Sequence, residues 1–219
     1  MPWTLEKLRT QPETLNLPMR PIVGGVADKG SGWDLNTGGQ TYQVRYYSKG
    51  GVGADGTAAV NPNQGASLSI DCNGANGGDK VAYLLPWASD KVYVTDLAGH
   101  HDYFFTAKLN GCAIFIAGGV CNPTVVHANA YTVIPVPPDL SEGSMRTLIS
   151  AYHDAYAGIS AALVQRGDLD PDNLAIFEPG VSGYVGDAAV FGVRNGGRWA
   201  FYAVIGSKLN PPVVKLWPA

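Results

Sequence analysis

The chain reads as α/β of the α+β kind, with mixed β-sheets packed as a sandwich, flanking helices and long Gly-rich loops. Three observations point there. Short runs rich in Val, Ile, Tyr and Phe recur from residue 41 onward, separated by Gly, Asn, Asp and Pro, the pattern of strands joined by turns. A single long stretch, 142–165, carries apolar residues at helical spacing over many turns. Gly accounts for 28 of the 219 residues, about twice the usual share, and gathers in segments such as 49–56 and 73–78 that no helix tolerates.

Taken in order, residues 4–10 predict a short helix opening an arm, 1–40. Pro12, Pro18, Pro21 and the Gly24-Gly25 pair interrupt any regular element in it, so the arm is expected to wrap the rest of the chain. Strands are predicted at 41–48, 66–71, 80–85, 91–96, 102–109, 112–117 and 124–134, with 49–65 and 73–79 as long surface loops. In 142–165, Met145, Leu148, Ile149, Tyr152, Tyr156, Ile159 and Leu163 recur every three or four residues and form one apolar helical stripe. Ser141 is placed to cap its start and Gly167 to stop it. A helical turn at 170–174 and strands at 188–194, 198–206 and 212–217 complete the chain. No internal repeat and no domain boundary is visible, so residues 1–219 are expected to form a single catalytic domain.

Composition excludes several function classes. The formal charge is −3, with 15% charged and 46% hydrophobic residues and no run of like charges. This composition argues against charge-driven disorder, a nucleic-acid groove or an anionic-membrane patch. The N-terminus lacks a basic segment followed by an apolar one, so no cleaved secretory signal is expected. No apolar run approaches membrane-spanning length. Cys72, Cys112 and Cys121 are odd in number and irregular in spacing, which draws neither a complete disulfide framework nor a Cys-x-x-Cys zinc pattern and suits a reducing compartment. No metal and no cofactor is expected.

Chemistry concentrates in residues 106–127. Asn110-Gly111 between two apolar runs predicts a hairpin turn, because both residues accept positive φ. Cys112 then begins a strand, and a second turn in 118–123 leads to the strand carrying His127. If Ala117 pairs with Thr124, Ile114 falls opposite His127 and Cys112 opposite Asn129. Period-two alternation then puts all four on one face, with Cys112 and His127 in the diagonal relation, their Cβ atoms about 7 Å apart. An imidazole at that position can take the thiol proton and produce the thiolate that attacks an amide carbonyl. Gly111, without a Cβ, would leave the Cys112 amide open to stabilise the oxyanion. The bland alternative makes Cys112 a small buried hydrophobe and His127 an ordinary strand residue.

Leu109-Asn110-Gly111-Cys112 resembles the Leu-x-Gly-Cys motif of the toxin glutamine deamidase family, represented by the cytotoxic necrotizing factor catalytic domain and Burkholderia lethal factor. His127, fifteen residues after Cys112, fits the histidine of that family, and Thr106 resembles its third active-site position. Asn110 stands where the family often has Ser. The resemblance covers about 25 residues and implies a bacterial toxin or effector, released or delivered into a host cytosol. It would act as a monomer and convert a target Gln to Glu through a Cys112 thioester. The implied host protein substrate is a translation-initiation helicase or a Rho-type GTPase.

Strand parity qualifies Thr106. If Leu109 pairs with Cys112 across the turn, the Thr106 side chain points to the other face, and only the main chain around it would orient His127. The remaining sites are weaker. His100-His101-Asp102 lacks a third ligand at metal spacing, His153 is expected on the helix surface, and Cys121 and Cys72 read as incidental thiols. Trp33, Trp87 and Tyr46-Tyr47 would line either a recognition surface or the core. Two other function classes stay open: a chemoreceptor-type deamidase or cysteine protease using the same dyad, and a non-enzymatic aromatic-rich β-sandwich binding module.

Overall fold

A computed structural model describes residues 5–14, 19–20, 33–34, 57–64, 68–71, 80–85, 90–97, 101–106, 108–130, 141–180, 183–206 and 213–218. The expected strand 41–48 with Tyr46 and Tyr47, the loop 73–79, Cys72, Trp87 and His100 lie outside these residues.

Helix α1 (Leu5–Thr10) and a 3-10 turn (Pro12–Thr14) are followed by two-residue strands β1 (Met19–Arg20) and β2 (Trp33–Asp34). Next come β3 (Thr57–Gln64), β4 (Leu68–Asp71), β5 (Lys80–Leu85), β6 (Lys91–Asp96), β7 (Tyr103–Thr106), β8 (Cys112–Gly119) and β9 (Asn122–Asn129). Helix α2 (Glu142–Gln165) precedes β10 (Ala175–Phe177), β11 (Ala188–Asn195), β12 (Arg198–Ile205) and β13 (Val213–Trp217). The strands form an eight-stranded sheet in the order β1-β4-β3-β5-β7-β11-β12-β13 and a five-stranded sheet in the order β10-β8-β9-β6-β2. Two sheets with few helices make the predicted α+β sandwich.

Several elements correct the sequence reading: the two-residue strands β1 and β2 lie in the arm, and β10 forms where no strand is expected. Residues 57–64 fall inside the expected loop 49–65 yet form β3. Pro62 and its flanking asparagines read as a turn, but a proline is tolerated where one side of a strand makes no ladder bond. Among the described residues, 61–64 pair only with β4 and 57–60 only with β5. Cross-strand pairing overrides the local turn signal.

Alternation along β8 and β9 divides the molecule into two cores. Ala113, Phe115, Ala117, Val126 and Ala128 face α2, where Tyr156, Ile159 and Leu163 cover them. Ile114, Ile116 and Val125 face the opposite way and pack between the sheets against Phe104, Val190, Trp199 and Phe201. Each fully buried Phe or Ile contributes about 1.5–3 kcal/mol. The apolar stripe of α2 forms as predicted, and Ser141 Oγ accepts from Ser144 N–H at 3.2 Å to cap its start. In the arm, α1 packs on β11 with Leu8 buried, and Arg9 Nη1 lies 3.6 Å from Asp102 Oδ2. Among the described residues no helix is long and apolar enough to cross a membrane.

Candidate functional site

The connection between β7 and β8 decides the geometry. Asn110-Gly111 does not close a hairpin, because β7 belongs to the large sheet and β8 to the small one. Leu109 bridges to Ala188 instead, its N–H donating at 2.8 Å and its carbonyl accepting at 3.0 Å. The chain crosses from one sheet to the other over 108–111. Gly111 makes that crossing with φ +84°, and a Cβ there would lie 2.8 Å from Tyr152 Oη. The positive φ demands glycine, whereas the Tyr152 hydroxyl is the end of a side chain that can turn aside.

From Cys112 onward the expected register is observed. Ala117 pairs with Thr124, Ile114 with His127 and Cys112 with Asn129. The hairpin closes at Val120-Cys121, and Cys121 is exposed at its tip. Cys112, His127 and Asn129 therefore share the face buried between the sheets, with relative exposures of 2%, 0% and 5%.

Thr106 reaches this face from the other sheet, and here the parity expectation is corrected. Strand β7 pairs with β5 and β11, not with β8, so counting residues across 109–112 says nothing about where Thr106 points. Its Oγ1 lies 2.7 Å from His127 Nδ1 and donates to the Leu85 carbonyl at 2.9 Å. A hydroxyl has one proton, and a carbonyl only accepts. The proton goes to Leu85, so Nδ1–H must donate to Thr106 and Nε2 carries the lone pair. That tautomer follows from bonding alone. Nε2 is buried and has no hydrogen-bond partner among the described residues.

The sulfur is held elsewhere. Asn129 Nδ2 donates to Cys112 Sγ at 3.0 Å, and Asn129 Oδ1 accepts the Asp90 N–H at 3.0 Å. Burial pushes the thiol up from its usual range, while the Asn129 amide and the Asn110 backbone pull it back. Burial also drives His127 down from 6.5 to about 3. Thiol and imidazole are consequently both neutral here.

Three tyrosines close the site. Tyr156 Oη donates to the Gly111 carbonyl, which fixes the plane of the peptide carrying the Cys112 N–H. Tyr184 Oη donates to the Cys112 carbonyl at 2.7 Å, and the Gly111 and Cys112 N–H groups face the same hydroxyl. The Cys112 amide expected to stand open thus has the Tyr184 hydroxyl in front of it. Burial raises both phenols strongly, so each stays protonated and donates. Tyr152 stacks on Tyr156 with ring centroids 6.1 Å apart.

Sequence reasoning placed Asn129 opposite Cys112 without giving it a role, and missed the tyrosines. The signal for Asn129 was present: in Val125-Val126-His127-Ala128-Asn129 the polar residues fall at alternate positions of a buried strand. Tyr156 and Tyr184 had no such signal. His101 packs edge-on against Tyr83 at 5.3 Å, and His153 is exposed on α2, its Nδ1 2.7 Å from Glu178 Oε1. Among the described residues no group of three or more His, Cys, Asp or Glu is placed to hold a metal.

No family model and no curated protein matches the sequence. Among solved structures, the C-terminal domain of CNFy from Yersinia pseudotuberculosis is similar over 80% of each chain, with a TM-score of 0.39 and 10% identity. A likeness this distant assigns neither a family nor an activity.

Proposed function

We propose that the chain is a cysteine-dependent protein glutamine deamidase of the toxin type. The observation that carries this reading is the Thr106–His127 bond, whose donor direction leaves Nε2 as an unprotonated acceptor on the face that also bears Cys112. The Leu109–Cys112 motif supplies the choice of amide chemistry.

In the reaction, Nε2 takes the Cys112 proton as Sγ attacks the Gln side-chain carbonyl carbon. The C–S bond forms and the carbonyl electron pair moves to oxygen. Collapse breaks the C–N bond, and ammonia leaves with the proton from Nε2. Water then attacks the thioester while Nε2 accepts its proton, the C–S bond breaks, Glu is released and the thiol is restored. Thr106 Oγ1 accepts Nδ1–H throughout, holding the ring and stabilising the transient imidazolium. With both groups neutral at rest, the thiolate forms in step with attack.

By the motif resemblance, the target is a host translation-initiation helicase or a Rho-type GTPase, met as a monomer after delivery into the host cytosol. The test is incubation of the purified chain with host-cell lysate, followed by mass spectrometry for Gln-to-Glu conversion. Conversion by the native chain and its loss in Cys112→Ser, with Cys121→Ser unaffected, is expected. Equal conversion by Cys112→Ser would overturn the assignment. No conversion by either would favour the β-sandwich binding module.

A further inference from the structure

The group in contact with the Cys112 sulfur is Asn129, and its direction is fixed. A backbone N–H only donates, so the end of the amide facing Asp90 N–H must be Oδ1, which turns the NH2 end toward Sγ. Flipping the amide would set two donors against each other at Asp90, and that end alone fixes the orientation. The Asp90 donor is itself presented by a left-handed turn residue, φ 57°, buried just before β6. A side-chain amide in this position is not what packing alone selects. The neighbouring inward positions hold Ile114, Ile116 and Val125, and a buried amide without bonds is costly.

The geometry points to Asn129 as a further catalytic residue, one that holds Cys112 Sγ as an acceptor and stabilises its anion through the Asn129 Nδ2–H bond. This rests on the deamidase reading for its substrate, although not for its test. An N–H donor strengthens when its acceptor becomes charged, so the bond favours thiolate over thiol. A donor at Asn129 also forbids the S–H from pointing there, leaving its proton for other acceptors; His127 Nε2 lies on the same strand face but is not hydrogen-bonded to the sulfur, nor to any other group among the described residues. Among the described residues, the other ionisable groups near the Cys112–Asn129 pair are Tyr156 on α2, Tyr184 beyond β10 and buried Asp90 before β6, with His127 on the same face of β9 and Tyr93 opposite it on β6. Burial keeps the Tyr156 and Tyr184 phenols protonated.

The test is the thiolate ultraviolet absorbance of Cys112 as a function of pH, in a Cys72→Ser/Cys121→Ser background with the Cys112→Ser triple variant subtracted. Asn129→Ala should move the midpoint upward by about one to two pH units. Asn129→Asp, nearly the same shape, should move it further, because a carboxylate repels the anion. A folded Asn129→Ala with an unchanged midpoint would overturn the proposal. Should Asn129→Ala fail to fold, a midpoint in Asn129→Asp at or below that of the parent would overturn it instead. A shifted midpoint in a chain that deamidates nothing supports the Asn129 assignment and removes the deamidase reading, whereas deamidation with an unshifted midpoint does the reverse.

Discussion

The two faces of the β8–β9 hairpin differ in what they bury. Toward α2 the hairpin presents Ala113, Phe115, Ala117, Val126 and Ala128, an unbroken apolar layer. Toward the large sheet it presents Cys112, His127 and Asn129 among Ile114, Ile116 and Val125. The same strands at the same burial thus carry a packing face and a chemical face. On the chemical face each polar group takes a directional partner from another element: Thr106 from β7, the Asp90 backbone before β6, and Tyr184 beyond β10. Burial gives the first face its stability and the second its unusual protonation, because the cost of dehydration falls on charged forms.

Substitutions on the two faces should therefore fail differently. The largest effect is expected from His127→Ala, which should reduce the proposed deamidation by roughly 100- to 10,000-fold per folded molecule. A steady-state rate within a few-fold of the native chain would remove the base. On the other face, Phe115→Ala should cost about 3–5 kcal/mol of stability, read by urea unfolding. Activity per folded molecule should persist, and a selective loss of rate at unchanged stability would erase the distinction between the faces.

A smaller effect follows from protonation. The folded His127 value of about 3 lies below its ordinary 6.5, so between these values the unfolded chain binds more protons than the folded one. Stability from this group is fully present above pH 6.5 and is lost as pH falls toward 3, with a limiting slope of about 1.4 kcal/mol per pH unit. Denaturant titrations across that window should show the slope and its loss in His127→Gln; equal slopes would place the titration elsewhere. The smallest effect separates the hydroxyl of Thr106 from its backbone. Thr106→Val keeps the main chain and shape yet removes both hydroxyl bonds, and should lower kcat/KM by about tenfold, with Thr106→Ser restoring it. Full activity in Thr106→Val would return the orienting role to the main chain.

Much of this was legible in the chain itself. Strands 80–85 and 91–96 and helix 142–165 appear at their expected limits, because β-branched runs, turn residues and helical spacing are local signals. The Cys112–Asn129 register also follows from one turn and the two-residue period. What lay beyond local reading has a common cause. β3 forms despite Pro62 because, among the described residues, that half of the strand pairs on one side only, with β4. Thr106 meets His127 because the chain changes sheets between 106 and 112.

Which residues share a face follows from alternation along a strand, a property of the backbone. What stands opposite that face depends on how the two sheets pack. The Thr106 hydroxyl, the Asn129 amide turned by Asp90 and the Tyr156 and Tyr184 phenols reach Cys112 and His127 from elements distant in sequence. A hydrogen bond depends on a few tenths of an ångström and on angle, whereas strand periodicity is set by torsion angles alone. Contacts of that accuracy exist only once the two sheets have packed.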